Sequence, residues 1–498
     1  MRRERILLFT IAILCIFLAC LSTNYDYDFF ARLIVGERII EHSIFPFKDF
    51  LSYTPTHPWF DHEWGSGFVF YFVLKYFGAL GLVLLQAVLG FGTLFFVYKT
   101  QKLQKHSFPI SLVFLSIFAG LFFYLNPSLV RSQMFSFFFF SLFLFLLEKS
   151  RTTRKTIFLW PIPIITIIWN NMHGGVVAGL GLVFIYALGE IIEKKNPLKY
   201  LITLSCSLPL LIINPYRYKY LDFLFRAVTM NRKYVLEWWP VFARMHIIHF
   251  LPVSAFILLG YISAIINFIK KKNIEITRIL VITATLVEGF WHIKLLSFAL
   301  IAVSALCYND IFKIFINLKT LLVKIEKSLY AAIIVLGFTI PLYSPSVPRA
   351  DFNIFPLKEI EFIKINNLKG NIAGSFGLSS FISYKLYPNN LIYMDGRFEE
   401  VYNNKEYMVL KDFNLAEKNW RDIVNNYPTD ILMPEKYLDI YPILKKAPDW
   451  VLIFEGNLCG IFVRKENVKN EYIRPNYDIN YYRENLFNSH FRKEVKND

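Results

Sequence analysis

Carboxylate, amide and imidazole side chains cluster at the edges of long apolar runs in this 498-residue sequence, and their spacing suggests chemistry. Tyr25-Asp26-Tyr27-Asp28 directly follows the first such run. In an extended or turn conformation an Asp-x-Asp pair can aim both carboxylates at one cation or one proton, whereas on a regular helix the pair diverges. A structural role competes: Asp26 or Asp28 can cap the amphipathic helix predicted over Phe29–Ile40. The two roles are compatible. Asp61-His62-Glu63-Trp64 closes the same loop, where Asp61 can cap the next helix and His62 and Glu63 offer a proton carrier or metal ligand. No second ligand spacing makes a zinc site specific. Arg131 and Gln133, Asn170, Asn171 and His173, and His292 and Lys294 also stand at the ends of apolar runs. Singly, each reads as an interfacial anchor or a buried hydrogen-bonding group. Gathered on one face of a membrane they form a candidate site, because charges and amides there are expensive. A sugar offers hydroxyls to Asn, Gln and His; a phosphate offers oxygens to Arg and Lys.

The elements that must position these groups are mostly membrane helices. The chain is 55% hydrophobic, 18% aromatic and only 18% charged, with 51 Phe, which disfavours a cytosolic enzyme, a disordered chain and a secreted disulfide scaffold. Its five cysteines show neither a disulfide framework nor metal-ligand spacing. Apolar runs at 6–22, 79–98, 108–125, 134–147, 157–169, 176–192, 200–213, 248–269, 279–291, 295–306 and 329–343 predict about eleven transmembrane helices. The first has the outline of a signal peptide, yet the many spans behind it and Phe17 at position minus three before Cys20 make it a retained helix. Residues 64–77 read as an interfacial or re-entrant helix, since counting them as a span would put Lys99, Lys102 and Lys105 outside.

The net charge of +16 would suggest nucleic acid as a partner in a soluble protein; here positive-inside loops account for it, and no nucleic-acid module is present. With a cytoplasmic N-terminus, the Arg2, Lys99, Lys149, Lys194, Lys270 and Lys313 groups all fall inside. One loop dissents: 214–248 is expected outside yet holds Arg217, Lys219, Arg226, Arg232, Lys233 and Arg244. Those cations would suit an anionic client. Beyond the polytopic region 1–345, Pro345, Pro348, Asp351 and Asn353 mark a linker into a small extracytoplasmic α/β domain over 346–465, followed by a polar tail over 466–498. Helices are predicted at 357–365, 379–386, 405–413 and 420–427, and strands at 372–374, 391–395, 430–433, 451–454 and 460–463.

Taken together, Asp26-Tyr-Asp28, Pro46-Phe-Lys-Asp49-Phe-Leu-Ser52, Trp59-Phe-Asp61-His62-Glu63-Trp64, Arg131-Ser-Gln133, Trp169-Asn170-Asn171-Met-His173-Gly174-Gly175, Asn214-Pro215-Tyr216, Glu237-Trp238-Trp239-Pro240 and Tyr393-Met-Asp395-Gly396-Arg397 resemble the polytopic GT-C glycosyltransferases. The architecture is similar to that of protein O-mannosyltransferases and lipid A aminoarabinose transferases. The pattern departs at Ser132, where the group has Pro, and at Lys294, where it has Arg. The resemblance implies a GT-C-like multi-span α-helical membrane protein that transfers a sugar from a polyprenyl-phosphate donor on the extracytoplasmic face, with inversion. A first-loop Asp would be the base, Asp28 ahead of Asp26. The candidate substrate-binding set is His62, Glu63, Arg131, Gln133, Asn170, His173, Arg217, Glu237, His292 and Lys294, with the basic loop holding the donor phosphate. Asp395-Gly396-Arg397 reads as a structural turn or interdomain contact. No cofactor is fixed; if Mg²⁺ or Mn²⁺ takes part, Asp26 and Asp28 are its ligands. The implied partners are membrane lipids, the polyprenyl-phosphate-linked sugar and a lipid, glycan or protein acceptor. A lipid or solute transporter is the alternative, but the inverted repeat and midplane-broken helices of that class are not visible in the sequence.

Overall fold

The computed structural model describes residues 2–22, 24–104, 112–230, 232, 235–243, 246–271, 275–314, 319–343 and 354–475. Lys105, Lys233, Arg244, Lys272, the start of the span expected at 108, the linker residues 345–353 and the tail beyond 475 lie outside them. The helices in chain order are α1 (Arg2–Leu21), α2 (Tyr27–His42), α3 (Trp64–Lys102), α4 (Leu112–Leu125), α5 (Gln133–Thr153), α6 (Pro161–Met172), α7 (Val176–Ile192), α8 (Leu198–Ser207), α9 (Lys219–Thr229), α10 (Ile247–Lys271), α11 (Ile276–Trp291), α12 (Leu296–Leu306), α13 (Tyr308–Ile314) and α14 (Lys319–Tyr343). The chain forms two compact units, Met1–Thr23 with Leu80–Ser346, and Asn24–Ala79 with Val347–Asp498. Residues 24–63, expected within the 1–345 body, thus cluster with the C-terminal chain. So does the first part of α3, whose backbone breaks at Gly78 (φ 62°, ψ −165°), where the apolar run at 64–77 was expected to end.

The first unit is a helical membrane fold. Among the described residues, four stretches are long and apolar enough to cross a membrane: Arg3–Leu21, Trp64–Lys102, Gln133–Thr153 and Ile247–Lys270. Shorter apolar helices at 112–125, 156–172, 176–192, 198–212 and 293–306 accompany them. The packing explains why hydropathy dominates the sequence. Every residue of α12 is buried, so this helix is apolar all round and forms the centre of the unit. Phe298 on α12 meets Phe137 and Phe140 of α5 at centroid distances of 5.2 and 4.8 Å, within the range of favourable edge-to-face contact. Phe9, Leu84, Val88, Ile164 and Ile248 point outward instead. Exposed aliphatic and aromatic side chains on this scale fit a hydrocarbon surround, in which helices satisfy their own backbone groups.

The second unit is the small α/β domain. After α15 (Leu357–Ile365), it contains β1 (Ile372–Gly374), α16 (Ser379–Leu386), α17 (Phe398–Val401), α18 (Asn404–Asn414), α19 (Asp422–Asn425), β2 (Ile431–Met433), α20 (Ile440–Leu444), β3 (Trp450–Glu455) and β4 (Gly460–Arg464). The sheet order is β1-β2-β4-β3, with β1 and β2 parallel and the other pairs antiparallel. Two expected elements come out shorter. The strand expected over 391–395 is a single bridging residue, Ile392, because the Asp395 carboxylate accepts the Arg397 N–H and turns the chain. The helix expected over 420–427 contracts to α19, since Pro428 disfavours helical backbone at Tyr427. The first loop runs beside this stretch: Ile392 N–H donates to Leu51 O, Tyr53 N–H to Ile392 O and His57 N–H to Val401 O. Phe30 of α2 packs edge-on against Phe381 of α16 at 4.7 Å.

Candidate active site

The Asp-x-Asp pair straddles the start of α2. Asp26 is the N-cap, in extended backbone (φ −67°, ψ 144°), and its Oδ1 accepts the Asp28 N–H at 3.0 Å. Asp28 lies in the first turn, where the helix dipole favours a negative charge. Both side chains are half-buried. Asp28 leans against the Asp395-Gly396-Arg397 turn so closely that a Cβ on residue 396 would overlap its Oδ1. The turn is itself rigid. Buried Arg397 donates to Asp395 at 2.8 Å and to Asp49 of the first loop at 2.7 Å, and its guanidinium stacks 4.5 Å from the Trp59 ring centroid. Asp49 also accepts the Leu51 and Ser52 N–H groups.

A second charge cluster forms four residues along α2. Buried Arg32 donates to Asp61 at 2.5 Å and Glu400 at 2.9 Å, and its Nε lies 2.8 Å from Glu63. Trp59 Nε1 also donates to Glu400. His62 sits between two carboxylates, with Nδ1 2.7 Å from Glu400 and Nε2 3.5 Å from Glu63. Burial alone would lower the His62 pKa, but Glu400 and Glu63 outweigh it and raise it. Burial pushes the Asp61 carboxyl up to about 7, against the pull of Arg32. Burial also opposes ionisation of Glu400, yet Arg32 and His62 hold its pKa below the ordinary value. With a carboxylate facing each ring nitrogen, His62 is suited to carrying a proton.

The membrane unit carries a separate constellation. Arg131 reaches Glu237 at 2.9 Å and Lys294 reaches it at 3.5 Å. Removal from solvent opposes the Glu237 charge, yet the two cations outweigh it and hold the carboxyl down at about 2. Trp238 organises the surroundings: the Arg232 guanidinium stacks 4.4 Å from its ring, Lys294 Nζ lies 5.8 Å from it, and His292 Nδ1 is 2.8 Å from its carbonyl oxygen. Gln133 is buried at the first residue of α5. His173 is oriented by a relay in which Trp169 Nε1 donates to Ser136 Oγ at 2.7 Å and Ser136 Oγ lies 2.8 Å from His173 Nδ1. Gly175 N–H also donates to Nδ1, so neutral His173 carries its proton on Nε2 and presents a donor there.

These positions separate the sequence candidates. Arg131, Glu237, His292 and Lys294 come together. Asn170 is buried; its side-chain amide donates to Leu211 O and its backbone carbonyl accepts the Tyr220 hydroxyl, bonds that fasten α6 to α9 and the segment before it. Arg217 is exposed in left-handed backbone (φ 55°). Among the described cations of the dissenting basic loop, Arg232 stacks on Trp238. Arg32 and Glu400 were missed as site neighbours. A signal existed for Arg32, a cation among Phe29, Phe30, Leu33 and Ile34 on the apolar face of a predicted amphipathic helix.

No protein-family model and no characterised protein sequence matches the chain. Solved structures with a similar fold do exist. The apo Archaeoglobus fulgidus oligosaccharyltransferase aligns with 95% of this chain and 74% of its own length at 11% identity and a TM-score of 0.56. The Archaeoglobus fulgidus oligosaccharyltransferase AglB in complex with an inhibitory peptide and a dolichol-phosphate aligns over 95% and 76% at 10% identity, with a TM-score of 0.53. Its complex with Zn and sulfate aligns over 96% and 76% at 11% identity, with a TM-score of 0.52. The chain therefore shares the fold of this oligosaccharyltransferase, a multi-span helical membrane fold with a small extramembrane α/β domain.

Proposed function

We propose that this protein is an integral membrane glycosyltransferase that moves a sugar from a polyprenyl-phosphate donor to an acceptor hydroxyl, with inversion and with Asp28 as base. The observation that carries this reading is the seating of Asp28: a carboxylate in the first turn of α2, held against Gly396 in a fold shared with an oligosaccharyltransferase. An oxygen lone pair of the acceptor forms the new bond to the anomeric carbon while the bond from that carbon to the phosphate oxygen breaks. The acceptor proton passes to Asp28, and the bonding electrons leave with the polyprenyl phosphate. Charge then develops on phosphate, where Arg131, Lys294 and Arg232 would stabilise it. His173 Nε2–H would donate to a sugar or phosphate oxygen. Asp26 fixes the helix start and so the direction of Asp28.

The all-oxygen donor set of Asp26 and Asp28 fits a hard divalent cation such as Mg²⁺ or Mn²⁺, which would supply electrostatic polarisation of the donor phosphate. The solved neighbours bind dolichol-phosphate, an acceptor peptide, or Zn and sulfate; the corresponding partners here are a polyprenyl-linked donor and a lipid, glycan or protein acceptor. In this scheme about eleven helices cross the plasma membrane, the N-terminus is cytoplasmic and the α/β domain is extracytoplasmic. The decisive experiment offers purified wild type, Asp28→Ala and Asp26→Ala a panel of radiolabelled polyprenyl-phosphate sugars with membrane extract. Label moved by wild type and not by folded Asp28→Ala supports the assignment. Equal transfer by all three refutes it.

A further inference from the structure

The end of the membrane unit remote from Arg131 and Lys294 holds a cavity of about 1580 Å³ that the transfer reaction does not use. Arg151 lies 18 residues along α5 from Gln133, which places it roughly 27 Å away along the helix axis. Three of the basic loops expected on the cytoplasmic side converge there. The lining contributes six cations, Arg151, Arg154, Lys195, Lys199, Arg278 and Lys313, against four acids, Glu148, Glu190, Glu275 and Asp310. Much of this charge is internally matched: Arg151 bridges Glu148 and Glu275, Arg278 pairs with Asp310, and Lys195 pairs with Glu193. Arg154 and Lys199 have no carboxylate within ion-pairing distance among the described residues, and the charge of Glu190 on the same lining acts on Lys199 only from beyond that distance. One wall is apolar and turned outward, carrying Trp160, Ile164, Leu198 and Ile202, all largely exposed.

Unmatched cations beside an outward apolar wall are complementary to an amphiphile with an anionic head. We propose that this cavity binds one anionic phospholipid, its phosphate between Arg154 and Lys199 and its acyl chains along Trp160, Ile164 and Ile202. A soluble phosphate would meet the same cations but would leave the wall uncovered.

The test is native mass spectrometry of the purified full chain with equimolar phosphatidylglycerol and phosphatidylcholine, the two distinguished by mass. One phosphatidylglycerol should be retained per chain in preference to phosphatidylcholine. The double variant R154A/K199A should lower that retention at least about tenfold, since each interfacial cation contributes on the order of fivefold. R154K/K199R, which keeps the charge, should restore it, separating lost binding from lost folding. K99A/K102A, at the same end but outside the cavity, should leave it unchanged. Equal retention of both lipids, or undiminished retention by R154A/K199A, overturns the proposal. Displacement of the lipid by millimolar inorganic phosphate overturns the lipid assignment.

Discussion

Asp28 and Gly396 touch so closely that the absence of a side chain at 396 fixes where the carboxylate of residue 28 can sit. Gly396→Ala should therefore push Asp28 aside without removing it. A displacement near 1 Å at a reacting group costs about 10²-fold in rate, and a loss of that order in kcat is expected for G396A. The check is single-turnover transfer by protein that still elutes as a monodisperse species with wild-type helicity. Wild-type kcat in that variant would disconnect Asp28 from the chemistry.

Arg32 holds three carboxylates inside the α/β unit. Removing one member of a buried ionic cluster leaves the others uncompensated, a loss of about 3–5 kcal/mol. Arg32→Met should thus lower the thermal midpoint of the purified protein by several degrees. Arg421→Ala, which breaks an exposed pair with Asp449, should leave it nearly unchanged.

The same cluster sets a pH dependence. Because the folded Asp61 carboxyl titrates near 7, above its unfolded value, its contribution to stability is complete below about pH 4 and is lost as pH rises toward 7. Glu400 acts oppositely: its lowered pKa contributes stability above the ordinary carboxylate range that is lost on acidification. Asp61→Asn should flatten the melting profile between about pH 4 and 7, leaving the opposite contribution of Glu400 on acidification in place. A profile from thermal melts that keeps its slope in D61N would assign that slope elsewhere.

Arg131 and Lys294 share Glu237. If they hold the donor phosphate, Arg131→Ala and Lys294→Ala should each raise the KM for the polyprenyl donor about tenfold, the effect of losing one charge-assisted contact, with a smaller effect on the acceptor KM. Titration of each substrate at saturation of the other measures this split. Equal effects on both would point to a general disturbance of the fold.

The helical body was readable because hydropathy reports directly on apolar helices, and the resemblance pointed to the architecture found. Asp26 as a cap was equally local. Other features depended on distant partners. The local pattern put Arg32 on an apolar helix face, but its partner Glu400, like the partner Arg397 of Asp49, lies far along the chain, so nothing within a sequence window could name either partner. The strand expected over 391–395 failed for the same reason. Its apolar pattern was real, but the turn that ends it is held by an ionic bond to the first loop.

Threading of the first loop along residues 392–401 bears on how the protein is made. Arg32 meets Glu400 across 368 positions, and at ordinary elongation speeds the ribosome delivers the second partner roughly 20–70 s after the first. Throughout that interval the loop has a cation and an aromatic surface with nowhere to go, exposed to proteases of whichever compartment receives it. A chain interrupted between residues 346 and 397 would carry a finished membrane bundle and an orphaned loop. Cells would therefore be expected to clear truncated products, and amounts of full-length protein should depend on how quickly the C-terminal end is delivered.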